Sequence, residues 1–176
     1  IEYDLNLLKN LESQWSKIIE DPKKDQFLKE LRKNPKLKNK KIIIFSESRE
    51  TAEYVGNYLE KDYSGQVLVY SGQGSRAIRQ EIEANYNPDY IYDKKDDIRF
   101  LVTTDVLAEG INLHRSNVIV NYDLPWNPTK IMQRVGRINR VGTEHDEIHV
   151  FNFFPTAQAN AHLPLEENII LKIQAF

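Results

Sequence analysis

The feature that most restricts this chain is a strict alternation through its middle. Short apolar, β-branched runs take turns with amphipathic stretches of helical period. IIIF at 42–45 is a continuous apolar run, the pattern of a strand covered on both faces. RETAEYVGNYLEK follows, with Ala52, Val55 and Leu59 on one helical face. QVLVY (66–70) reads as a strand and SRAIRQEIEANY as a helix. IRFLVT (98–103) is a further strand, DVLAEG a short helix, and NVIVNYD (117–123) a strand again. Asn127-Pro128 opens the next helix, with Asn as N-cap and Pro at the first helical position. EIHVFNFF (147–154) supplies a last strand, and PLEENIILKIQAF from Pro164 a last helix. Such repetition predicts an α/β domain: a parallel sheet with helices on both faces.

Upstream of the first strand the texture is helical. Leu8, Leu11, Trp15, Ile18 and Ile19 recur at helical spacing until Asp21-Pro22 breaks the run. A second short helix carries Phe27, Leu28 and Leu31 and ends near Asn34-Pro35. The segment 87–97 is polar and turn-rich, a surface excursion. The expected boundaries are an N-terminal helical segment at 1–38, the α/β domain at 39–155, and a C-terminal helical segment at 156–176. A chain of 176 residues has room for one domain with a real core. It opens mid-pattern at Ile1 and reads as a piece of something longer. It has no cysteine, which rules out disulfides and thiolate metal sites and fits a reducing compartment. The four histidines lack metal-ligand spacing, so no metal site is expected. No apolar run approaches a membrane span and no signal peptide is visible, so a cytoplasmic location is expected.

The formal net charge is −2, so no global basic field draws in nucleic acid, and any phosphate contact must come from a local cluster. In open α/β sheets ligands collect beyond the carboxyl ends of the strands. Those ends carry Ser46, Glu47, Ser48 and Arg49; Ser71, Gly72, Gln73 and Gly74; Thr103, Thr104 and Asp105; and Asp123. Hydroxyls, glycines and helix N-termini along one edge suit an anion; any single loop is more simply a turn or cap, and that plainer reading weakens for three loops together. GQGSRA (72–77) matches a dinucleotide fingerprint, which keeps a nicotinamide-binding domain as an alternative. The acidic residue at the required distance, Asp97, precedes the next strand instead of ending it. No GxxxxGK pattern followed by Ser or Thr exists, so the chain cannot cradle a triphosphate alone.

QRVGRINRVG (133–142) then stands out. Arg134, Arg137 and Arg140 are three apart, a spacing that would crowd like charges on one helix face. Arginine forks suit phosphate oxygens, and an arginine from a neighbouring domain can neutralise a γ-phosphate. Arginines of this kind without a P-loop make half of a site; a solvated basic face or an ion-pair network is the plainer reading. Gly136 and Gly142 lie among them at a cost to helix stability, which points to close approach of something.

QRVGRINRVG resembles motif VI of superfamily 2 helicases, Q/H-R-x-G-R-x-x-R-x-G. TTDVLAEGINL (103–113) is similar to their motif V and IIIFSESRETAEYV (42–55) to motif IV. VYSGQGS (69–75) stands where that family has a further nucleic-acid loop. The block NYDLPWNPTKIMQRVGRINRVG is especially similar to the Snf2-like branch, including bacterial RapA-type translocases. The resemblance covers residues 40–155. It implies the second RecA-like domain of an ATP-dependent helicase or translocase. ATP with Mg2+ would lie in the cleft with the N-terminal RecA-like domain of the same parent chain, which brings the P-loop and acidic box. Nucleic acid, with duplex DNA favoured, would cross both domains, and an intracellular, nucleoid-associated bacterial protein is implied.

By the same resemblance, Arg137 and Arg140 are arginine fingers. Gln133 senses the nucleotide site, and Gly110 and Asn112 approach the nucleotide sugar, where many relatives have Asp in place of Asn112. Arg134 belongs with the ATP-site group and holds the motif by pairing with a carboxylate. Ser46, Arg49, Ser71, Gly72, Thr103 and Thr104 fall on the nucleic-acid track. Trp126 is expected to pack beneath motif VI. The fragment alone should not hydrolyse ATP. A degenerate RecA-like module that binds nucleic acid or protein without hydrolysis is the alternative within the fold.

Overall fold

The computed structural model describes residues 2–72, 76–108, 111–139 and 145–154. The chain divides into two compact units between Asn34 and Pro35. The first unit holds α1 (Glu2–Trp15) and α2 (Pro22–Lys33). The side chain of Asp21 caps α2 by accepting from the Lys24 N–H at 3.0 Å, and Pro22 opens the helix where its missing donor costs nothing. No residue of α1 is buried, so its stripe of Leu8, Leu11 and Trp15 faces solvent.

The second unit is built on five parallel strands: β1 (Ile42–Phe45), β2 (Val67–Tyr70), β3 (Phe100–Thr103), β4 (Val118–Asn121) and β5 (His149–Asn152). Their order across the sheet is β2-β3-β1-β4-β5. Between them run α3 (Arg49–Asp62), α4 (Arg76–Tyr86), a 3₁₀ turn (Asp105–Ala108) and α5 (Pro128–Val135). Every residue of β1, β3 and β4 is buried. A strand buried at consecutive positions is covered on both faces, as its unbroken apolar run demands. The edge strands β2 and β5 are only partly buried. Register is set in the middle: Phe45 of β1 stands opposite Thr103 of β3 on one side and Asn121 of β4 on the other. Ala52, Val55 and Leu59 of α3 are fully buried.

The excursion at 87–97 forms no helix or strand and is tied back by charge. Lys95 pairs with Glu81 at 2.7 Å, and Asp96 takes both Lys41 at 3.0 Å and Arg115 at 2.8 Å. These contacts lie at the amino edge of the sheet, away from the loops that end the strands.

Two expectations need correction here. The arginines at 134 and 137 do not share a helix face, because α5 stops at Val135. Gly136 caps it, its N–H bonding to the Met132 carbonyl at 2.9 Å, and Arg137 lies in the turn beyond. Glycine is the weakest helix former after proline, so the helix ends at Gly136 and does not carry the arginine spacing onward. Trp126 is 66 % exposed, not packed away. Its neighbours Pro125 and Pro128 are the buried residues, so the prolines do the packing expected of the indole. Gly110, Arg140, Gly142 and the helix from Pro164 lie outside the described residues.

Candidate functional site

Sheet order decides which loops meet. Because β1 lies between β3 and β4, the segments after Phe45, Thr103 and Asn121 converge at one carboxyl edge. The connections of β1 and β4 leave toward opposite edges, and such a switch point opens a crevice. Helix α5 delivers Arg134 into it. Arg134 is fully buried, with Nε on Asp105 Oδ1, Nη1 on Asn121 Oδ1 and Nη2 on Glu47 Oε1, each at 2.7 Å. Its guanidinium carbon lies 4.8 Å from the Phe45 ring centroid, a cation–π distance. Lys130, one helical turn earlier, bridges Glu47 Oε2 and Asp105 Oδ2 at 2.9 Å each. Arg134 thus joins all three strand ends and pairs with two carboxylates, where the sequence suggested one.

Charge follows geometry. Burial pushes the Asp105 carboxyl upward, but hydrogen bonds from Arg134 and Lys130, with their charges, outweigh it and hold the group below its ordinary 3.8. Hydrogen bonds from Lys130 to Glu47 and then Asp105 raise the ammonium above its usual value. For Asp105 the folded value is below the unfolded one, so its stabilisation is complete above about pH 4 and lost as pH falls through the folded value. Urea unfolding of the wild-type chain and Asp105→Asn should show this. The wild-type advantage should be constant at neutral pH and shrink below pH ~4. An advantage unchanged at lower pH would refute the role given to the carboxylate.

The residues expected on the nucleic-acid track separate into two kinds. Ser46 is fully buried, and its hydroxyl donates to Asp123 Oδ2 at 2.6 Å. Thr103 is fully buried and donates to the Tyr70 carbonyl at 2.8 Å. Both stitch the strand ends together. Thr104 is 8 % exposed, yet its hydroxyl has no partner among the described residues. Arg49 is exposed at the start of α3, paired with Glu53 at 2.7 Å. Ser71 is half-buried after β2. Gly72 has φ +94°, and a Cβ there would come within 2.9 Å of Val106 Cγ1. Its glycine lets the loop after β2 lie against the 3₁₀ turn after β3.

Of the residues expected at the nucleotide, Gln133 is exposed on α5, and Asn112 is half-buried between Ile111 and Leu113 of the core. Arg137 is held by its backbone: its N–H donates to the Arg134 carbonyl at 3.1 Å and its carbonyl accepts from the Leu113 N–H at 3.2 Å. Ile138 beside it is fully buried. The Arg137 Nε is buried without a partner among the described residues. A Cβ on Gly136 would make only ordinary contacts, at 3.4 and 3.5 Å from its own helix carbonyls, so packing within the domain does not require that glycine.

Residues 23–142 match the family model of the helicase conserved C-terminal domain. The chain belongs to this family. The helicase C-terminal domain described here is 35 % identical over 123 residues to an uncharacterized ATP-dependent helicase, YqhH, of Bacillus subtilis, covering 70 % of the chain and 20 % of that protein. It is 30 % identical over 140 residues to the RNA polymerase-associated protein RapA of Photobacterium profundum, covering 79 % of the chain and 14 % of RapA. With the ATP-dependent RNA helicase DBP2 of Candida glabrata it shares 28 % over 137 residues, 76 % of the chain and 23 % of DBP2. The chain therefore spans about a fifth of the length of such relatives. The fold matches the C-terminal part of the Fun30 ATPase domain with a TM-score of 0.62 at 21 % identity, over 88 % of this chain and 50 % of that one. The RecA-like parallel sheet expected from the sequence is the fold observed.

Sequence reasoning missed Lys130 and Asn121. It saw Glu47 and Asp105 only as loop residues. The signal was present in the adjacency of β3, β1 and β4, which cannot be known before the strand order is.

Proposed function

We propose that this helicase C-terminal domain is the second motor half of an ATP-dependent nucleic-acid translocase. The observation that carries the reading is the Arg137 Nε, buried without a partner among the described residues while its backbone is fixed on both sides. A buried donor left unsatisfied is costly, and because the residue is only half-buried, a turn of its guanidinium toward a phosphate arriving from a partner domain would satisfy it. The donor set suits ATP, whose γ-phosphate would be met by Arg137 and Arg140 and whose sugar would lie toward Asn112 and Gly110. Mg2+ would be held by the P-loop domain and supply charge neutralisation on the phosphates. Arg134 acts as a positioning residue, since its fork is spent on Asp105, Asn121 and Glu47.

The nucleic-acid grip falls to the Thr104 hydroxyl, Arg49 and the backbone at Gly72, with Ser71 alongside; Ser46 and Thr103 hold these loops in shape. Such contacts fix a sugar–phosphate strand without reading sequence. Duplex DNA is the favoured track, supported by the resemblance of the block around Trp126 to the Snf2-like branch, while the likeness to the RNA helicase DBP2 favours RNA. Turnover of the full protein carrying this domain should be measured with no polynucleotide, with duplex DNA and with single-stranded RNA. Stimulation by DNA alone is the expected result. Stimulation by RNA alone would reassign the track, and no stimulation by either would remove the motor reading.

A further inference from the structure

The four charges at the carboxyl edge form a closed ring. Glu47 gives one oxygen to Arg134 and the other to Lys130, and Asp105 does the same. Two cations from α5 therefore meet two carboxylates from different loops. We infer that Lys130 is a positioning residue that locks the two nucleic-acid loops to the arginine turn, so that a pull on either loop moves Arg137. The inference rests on the motor reading above.

The chain positions make the linkage short. Glu47 precedes Ser48, which caps α3, and Arg49, which opens it. Asp105 follows Thr104. Arg137 is three residues past Arg134, hydrogen-bonded to it through the backbone. With Arg134 alone, both carboxylates would hang from a single guanidinium, and each loop could pivot about it. Lys130 adds a second tie to each, and a ring tied at four corners resists that pivot.

Burial separates this role from plain stabilisation. Arg134 is wholly buried, but the Lys130 side chain is 39 % exposed. Ion pairs at that exposure contribute little to folding, because water screens them and long side chains lose freedom in making them. Loss of Lys130 should thus leave the domain folded and spoil its geometry. A misplacement of about an ångström in a reacting group lowers turnover by up to ~100-fold.

The test uses the full protein with Lys130→Met, Lys130→Arg and, as a reference, Arg137→Ala. Lys130→Met should lower polynucleotide-stimulated kcat by roughly tenfold, with KM for ATP within about twofold and the thermal midpoint close to wild type. Lys130→Arg should restore most of the loss, since its fork can also span two carboxylates. If Lys130→Met does not fold, Lys130→Gln is read in the same assay. An unchanged kcat, or a loss that tracks a lowered thermal midpoint and is not restored by arginine, overturns the inference. Failure of the motor reading is distinct: there Arg137→Ala would also turn over normally.

Discussion

Arg137→Ala is expected to lower the ATPase turnover of the full protein by about a thousandfold, the order seen when an arginine finger is lost. The domain itself should stay folded. The Arg137 side chain leaves its Nε unpartnered among the described residues, and what fixes the turn is backbone and neighbours: the bond to Arg134, the bond from Leu113 and the buried Ile138. Truncation would even relieve a buried donor. Arg137→Lys should recover only part of the rate, because an ammonium carries the charge without the planar fork. The resemblance assigns the same part to Arg140, which lies outside the described residues. Turnover and urea unfolding of Arg137→Ala decide the matter together. A stable variant with wild-type turnover would mean the arginine serves no phosphate, and a variant unfolded in buffer would mean the turn depends on it.

How much of this was legible beforehand differs between strands and site. IIIF, IRFLVT and NVIVNYD announced buried strands because a parallel strand covered on both faces has no polar side to show. Asn127-Pro128 announced a helix start through a local rule, and the Asn127 side chain does cap α5, accepting from the Thr129 N–H at 3.0 Å. The turn after α5 was harder. Period three in the arginines suggested a helix, while Gly136 argued against it, and the glycine prevailed locally. Trp126 misled for a related reason: an indole is usually read as core, yet the prolines on either side took the buried places.

The ring of charges was the least legible part. Glu47, Asp105 and Lys130 stand up to 83 residues apart in the chain, and nothing local marks them as partners. Only the placement of β1 between β3 and β4 brings their loops together. Motif matching located Arg134 but said nothing of which carboxylates receive it. Long-range electrostatics of this kind depends on strand order, which hydrophobic periodicity leaves open.

Removing the Arg134 side chain should be felt first in stability, before rate. Arg134→Ala is expected to cost about 3 kcal/mol, the lower end of what breaking a buried ion pair does. The lower end applies because the carboxylates left behind are partly wet, with Glu47 32 % and Asp105 29 % exposed. Asn121 has no such relief: it is fully buried, and its Oδ1 would lose the Nη1 donor. The empty volume over Phe45 adds a cavity cost. Arg134→Met fills much of that volume and leaves Lys130 as the cation shared by the two carboxylates, so the gap between the two variants separates packing from electrostatics. Urea unfolding of the 176-residue chain measures both, read as shifts in midpoint at constant slope. A loss below about 1 kcal/mol in Arg134→Ala would place these contacts with ordinary surface pairs. The ring could not then act as the rigid element that carries force from the loops to Arg137.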